Sequence, residues 1–170
     1  MTRPTPVAQA PVTPLRVHAT DTGLAADTRV MTADGALPAA YLDVGDRIVT
    51  RRGMRKLRAI VRRRVPAGAT RILLKRDALG GKPERDTLLM PAQRLLIRDW
   101  RAQALWGRDI AAPPVARLVD NRLVQAVESD AAIIVSLYFG APEVIYVEGL
   151  ELASADAIPA RGGAVAHRQD

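Results

Sequence analysis

Short runs in which apolar and polar positions alternate with a period of two make up most of this chain, and turn residues punctuate them every several positions. Thr28 to Ala33 and Arg47 to Thr50 are the clearest such runs, rich in the Val, Ile and Thr that suit a pleated surface. Between them come an Asp34-Gly35 turn, a short apolar crossing at Tyr41-Leu42 and a Val44-Gly45-Asp46 turn. Asp-Gly and Gly-Asp tolerate the positive φ that tight reversals need, so the segment reads as two strands joined by a fixed series of turns.

The pattern continues downstream. In MRKLRAIVRRRV, Leu57, Ala59, Val61 and Val65 fall on one face and Lys56, Arg58, Arg62 and Arg64 on the other, which predicts a single half-buried strand. Arg63 shares the apolar face: either the strand end emerges into water there, or an inward arginine meets a carboxylate. A further strand is expected over TRILLKR, where Ile72 and Leu74 alternate with Arg71, Leu73 and Lys75. DALGGKPERD reads as loop. Two apolar pieces follow, Thr87 to Met90 and Arg94 to Ile97, hinged at Pro91.

Helix is scarce. The stretch around Trp100 and Trp106 is rich in helix formers but long enough for only a turn or two, and both indoles read as packing residues. Pro113-Pro114 opens a short helix with Val115, Leu118 and Val119 on one side and Asn121 as a positive-φ stop. Strands resume at RLVQAV, AAIIVSLYF and EVIYVEG, and a last short helix is expected from Glu151 to Ala155. The prediction is an all-β domain with one or two short helices, running from 23 to 158. Residues 1–22 carry four prolines and read as a disordered tail, with Leu15 to Val17 as an optional edge strand; 159–170 read as a flexible end.

Composition narrows the chemistry. The 170 residues carry a formal charge of +7, no cysteine and only two histidines, His18 and His167, both near the ends. There is no thiolate nucleophile or disulfide framework, and a transition-metal site is not expected; no cofactor is implied. No apolar run approaches the roughly 18 residues that suggest a membrane-spanning helix, and no signal peptide is visible, so the expectation is a soluble protein, cytoplasmic sooner than secreted.

The stretch GLAADTRVMTADGALPAAYLDVGDRIVTRRG resembles the opening of the Hint (hedgehog/intein) domain family, in particular its bacterial stand-alone members. Thr28, Thr32, Asp34, Gly35, Pro38, Leu42, Val44, Gly45, Asp46, Thr50 and Gly53 match that pattern without a gap, LLMPAQRLLIRDWRAQALWG resembles the family's second block, and EVIYVEGLELASAD its last strand and closing turn. The resemblance implies a compact twisted β fold. It also implies a reaction, in which a Cys or Ser at the first position attacks the preceding carbonyl and a Thr-x-x-His motif polarises the scissile amide.

The residues that this reaction needs are replaced here. The first position is Gly23, the Thr-x-x-His positions are Met90 and Gln93, and two further places where relatives carry histidine fall on Ser136 and Pro142. Glycine has no side chain to attack with, and an amide does not titrate near neutral pH. The resemblance therefore implies a degenerate, non-enzymatic member with a binding or structural role. Two alternatives stay open. Thr22 is a hindered candidate nucleophile for slow self-cleavage at the Thr22/Gly23 junction. Arg58, Arg62, Arg63, Arg64, Arg71 and Lys75 are candidates for a basic sheet face that binds nucleic acid or another polyanion, and a protein partner at a strand edge is equally open.

Overall fold

A computed structural model describes residues 22–157. Twelve strands alternate with tight turns: β1 (Leu24–Ala25), β2 (Arg29–Thr32), β3 (Gly35–Pro38), β4 (Arg47–Thr50), β5 (Gly53–Lys56), β6 (Ala59–Val65), β7 (Thr70–Leu74) and β8 (Thr87–Leu89), then β9 (Val124–Glu128), β10 (Ala132–Tyr138), β11 (Val144–Val147) and β12 (Leu150–Ala153). One helix, α1 (Trp100–Trp106), lies between β8 and β9. The strands form two antiparallel sheets, ordered β6-β10-β1-β8-β7-β9 and β12-β11-β2-β4-β5, with β3 added beside β2. The mostly-β architecture expected from the short alternating runs is the one observed.

The turn chemistry explains the start of the second sheet. Gly35 and Gly45 take φ of 99° and 97°, conformations that a side chain rarely adopts. Thr32 and Thr50 lock the two hairpins identically: the hydroxyl of each donates to a glycine carbonyl three residues on, at 2.7 Å to Gly35 and 2.6 Å to Gly53. Val30, Ile48, Ile145, Val147 and Leu152 from this sheet meet Leu24, Ile72, Leu74, Leu89, Val135 and Leu137 from the other in one core. A small satellite of Val65, Met90 and Ile134 lies on the opposite side of β10.

Four sequence expectations change. The strand expected from Met54 to Val65 is two, β5 in one sheet and β6 in the other. The crossing comes at Leu57-Arg58, where Leu57 N–H donates to the Asp46 carbonyl while Arg58 N–H donates to that of Tyr138. The helix expected from Glu151 to Ala155 is instead β12, followed by a 3-10 turn at Ala155–Ala157. Glu148 and Gly149 both take positive φ, 50° and 82°, which makes a two-residue hairpin between β11 and β12. The short helix after Pro114 is a 3-10 turn, Val115–Leu118, and Asn121 takes its expected positive φ of 60°. Trp106 packs against the core, but Trp100 is 70% exposed with the Arg101 guanidinium over its ring. No helix of the described residues is long and apolar enough to cross a membrane. Leu15 to Val17, His18, His167 and both tails lie outside the described residues, as far in as Asp21 and as far back as Ile158.

Candidate functional site

β1 is only two residues long, yet it is central to the first sheet: Leu24 pairs with Val135 of β10 on one side and with Leu89 of β8 on the other. That placement drives Gly23 against the middle of β10. Its φ is 124°, and a Cβ built on it would lie 2.5 Å from Ile134 Cγ2, 3.1 Å from Ser136 Oγ and 3.1 Å from the Val135 carbonyl oxygen. Glycine is required twice over, by the backbone conformation and by the crowding of a buried isoleucine. Ile134 is held in turn by Met90 and Val65.

Gln93 closes the other side. Its Oε1 accepts from Gly23 N–H at 3.2 Å, and its Nε2 donates to the carbonyls of Arg94 at 3.1 Å and Ala153 at 2.9 Å. One N–H and two carbonyls fix the orientation of the amide, whose single oxygen and two hydrogens are all engaged. Arg63 meets the same junction from β6, its NH2 donating to the Thr22 carbonyl at 3.1 Å. The Thr22–Gly23 peptide bond is therefore held at both ends, its oxygen by a guanidinium and its N–H by an amide oxygen. The arginine on the apolar face of β6 thus reaches a backbone carbonyl of the junction.

The remaining space is small. A cavity of about 10 Å³ is bounded by Gly23, Leu24, Gln93, Val135, Ser136 and Leu137 together with Ile145 and Ala153–Ala155, room for one water at most. None of these side chains titrates near neutral pH. An acyl shift requires the leaving amide nitrogen to gain a proton, and the group facing that nitrogen is an oxygen that accepts one hydrogen bond and has no proton to give.

Gly23, Gln93 and Ser136 thus come together, with Met90 one layer behind. Pro142 does not join them: it is exposed at the β10–β11 turn, where its carbonyl accepts from Arg52 NH2 at 3.3 Å. Thr22 is half-buried, and the carbonyl it would attack belongs to Asp21, outside the described residues.

Two buried glutamates anchor the ends of the second sheet. Glu143 accepts from Arg52 Nε at 3.1 Å and NH2 at 2.6 Å, with Arg55 Nε at 3.6 Å. The Arg52 hydrogen bonds hold its carboxyl below the usual range against the opposing cost of burial, and they raise the Arg52 guanidinium in return. Glu148 Oε1 accepts from the Arg29 backbone N–H at 2.8 Å and from Arg85 Nε at 2.9 Å. Asp120 is also depressed, chiefly by the Val124 N–H and then by those of Arg122 and Leu123. These groups lie outside the cavity lining and brace the framework.

The basic residues do not merge as their crowding in sequence suggested. β6 is one edge of its sheet and β7 sits four places away, so consecutive strands are not neighbours. Arg58, Arg62 and Arg64 are exposed, and Arg62 NH2 donates to the Leu42 carbonyl at 2.6 Å. Arg63 is turned to the Thr22 carbonyl. Arg71 leaves the solvent face altogether: it is buried, with Nε donating to Ser129 Oγ at 2.6 Å. Lys75 is exposed beyond the end of β7. Among the described residues no group of His, Asp or Glu is arranged to hold a metal ion.

Comparison with known proteins gives a family and a fold. A family model described as Hint domain matches residues 22–157. A splice-inactive variant of the AceL NrdHF class 3 split intein is similar at 12% identity and a TM-score of 0.50, over 79% of this chain and 97% of that one. The MchDnaB-1 intein gives 14% identity and 0.48 over 77% and 98%, and the gp41-1 intein 10% identity and 0.46 over 76% and 96%. No curated protein matches the sequence. At such identities the likeness speaks to fold alone, but the family model spans almost everything from Thr22 to Ala157, and the chain belongs to the Hint domain family.

Proposed function

We propose that this Hint domain is catalytically inert and acts by binding or as a structural unit. The observation that carries this reading is Gly23: the position from which the family's reaction starts has no side chain, and a Cβ there would meet Ile134 Cγ2 at 2.5 Å. Gln93 adds to it, since the amide nitrogen that would have to be protonated faces an acceptor. Arg63 polarises the Thr22 carbonyl, which favours attack in principle, but polarisation without a nucleophile or a proton donor leaves the amide intact. Slow cleavage through Thr22 would need that hindered hydroxyl to act with no general base among the described residues that line the cavity at Gly23.

The test is intact mass spectrometry of the purified full chain, incubated at neutral pH with and without dithiothreitol and hydroxylamine, nucleophiles that trap ester and thioester intermediates. Inertness predicts one unchanged mass in every condition. A fragment beginning at Thr22 or Gly23 contradicts it.

A further inference from the structure

The outer face of the second sheet combines exposed apolar side chains with exposed cations. Antiparallel register places Arg47 opposite Lys56, Val49 opposite Met54, and Met31 opposite Ala36. Because Thr32 pairs with Ile48, Met31 falls beside Val49. Ala36, Met31, Val49 and Met54 therefore form one row across β3, β2, β4 and β5, with Met31 41% and Met54 48% exposed. Arg47 and Lys56 flank the row on one side, Arg29 and Arg51 on the other, and all four are exposed. The strands β2, β3, β4 and β5 contain no acidic residue at all. Among the described residues no carboxylate lies within 4.0 Å of these four cations, whereas Arg52, Arg85 and Arg98 each have one.

This arrangement runs against local stability. Like charges directly opposite each other across a hairpin repel, and exposed methionines gain nothing from packing. A sequence that breaks such rules without a compensating contact inside the domain points to a contact outside it. Methionine side chains adapt their shape to varied apolar partners, and the cations on both sides set the sign of what approaches.

We infer that the β2–β5 outer face docks an acidic, amphipathic peptide segment of a partner protein, its apolar side chains on the Met31–Val49–Met54 row and its carboxylates against Arg29, Arg47, Arg51 and Lys56. A nucleic acid fits less well. The centre of the face is aliphatic, with no aromatic platform on which bases stack, and a phosphate chain makes no use of an apolar row. The inference rests on the binding role proposed above but not on the inertness of the Gly23 junction.

The experiment measures fluorescence anisotropy with the full chain and a labelled peptide carrying alternating leucines bracketed by glutamates. Its comparators are a glutamate homopolymer of equal length, oligothymidine, and vesicles of phosphatidylserine and phosphatidylcholine. Expected are saturable, salt-sensitive binding of the amphipathic peptide and preference for it over all three comparators. Met31→Ser with Met54→Ser should weaken it about tenfold, and Arg47→Glu with Lys56→Glu at least as much. Both pairs are surface changes, and an unchanged melting temperature confirms that each variant is folded. No binding of the peptide, equal binding of the homopolymer, preference for oligothymidine or vesicles, or affinity unmoved by the methionine pair overturns the inference. An intact mass taken on the same samples reports separately on self-cleavage, so the two readings fail independently.

Discussion

The Gly23 junction and the outer face of β2–β5 treat polar groups in opposite ways. At the junction the Thr22 carbonyl, the Gly23 N–H and all three hydrogen-bonding positions of the Gln93 amide are engaged around a cavity of about 10 Å³. On the outer face four cations and two methionines face solvent with no partner among the described residues. A saturated polar cluster in a tight space is a structural element, since no group in it is free to change state during a reaction. An exposed surface that carries unpaired charge beside apolar side chains costs the free domain a little and is suited to a second molecule. On the reading proposed above, the place where the family does chemistry serves as framework, and the surface suited to a partner lies elsewhere.

Substitutions sharpen that contrast. The largest effect is expected at Gly23, where Gly23→Ala forces a side chain into a positive-φ position against Ile134 and should cost about 3 kcal/mol in urea unfolding. Gly23→Cys should be similarly destabilised and should remain uncleaved in mass spectra, because restoring the thiol restores neither space nor a proton donor. Next comes Gln93→Ala, which strands the buried Gly23 N–H and the Ala153 carbonyl, while the Arg94 carbonyl keeps the Ala153 N–H, and should cost about 2 kcal/mol.

Acid should act through the framework. Glu143 and Asp120 are both depressed in the folded protein, so their contribution to stability is present above the usual carboxylate range and is lost as pH falls through their lowered folded values. Melting temperature should therefore drop progressively below roughly pH 4, and Glu143→Gln should flatten that decline. The smallest effect belongs to the outer face, where Met31→Ser with Met54→Ser should shift unfolding by no more than about 0.5 kcal/mol. A large loss there would mean that the methionines serve the fold and would erase the distinction between the two regions.

The sequence made some of this legible and hid the rest for identifiable reasons. β2 and β4 and their turns could be read because alternation and Asp-Gly chemistry are local signals. The crossing at Leu57-Arg58 could not, since alternation runs through it without a glycine or proline, and Leu57 is buried under either assignment. β12 looked helical because Leu150–Ala153 holds good helix formers, and the hairpin turn before it begins with Glu148, a residue that rarely takes positive φ. At the site, the replaced positions Gly23, Met90, Gln93 and Ser136 were visible through family resemblance, whereas the crowding by Ile134 is a tertiary fact. Arg63 announced itself by sitting on an apolar face, but nothing local told that it reaches the Thr22 carbonyl. The methionine row was missed because Met31, Val49 and Met54 lie on three strands and meet only through register.

The claim that the family's reaction is lost here is tested most directly by following the two peptide bonds on either side of Thr22. Mass spectra of the full chain, held for days at neutral pH with hydroxylamine, should show the starting mass alone. The gradual appearance of a chain that starts at Thr22 or Gly23 would show that the junction still breaks.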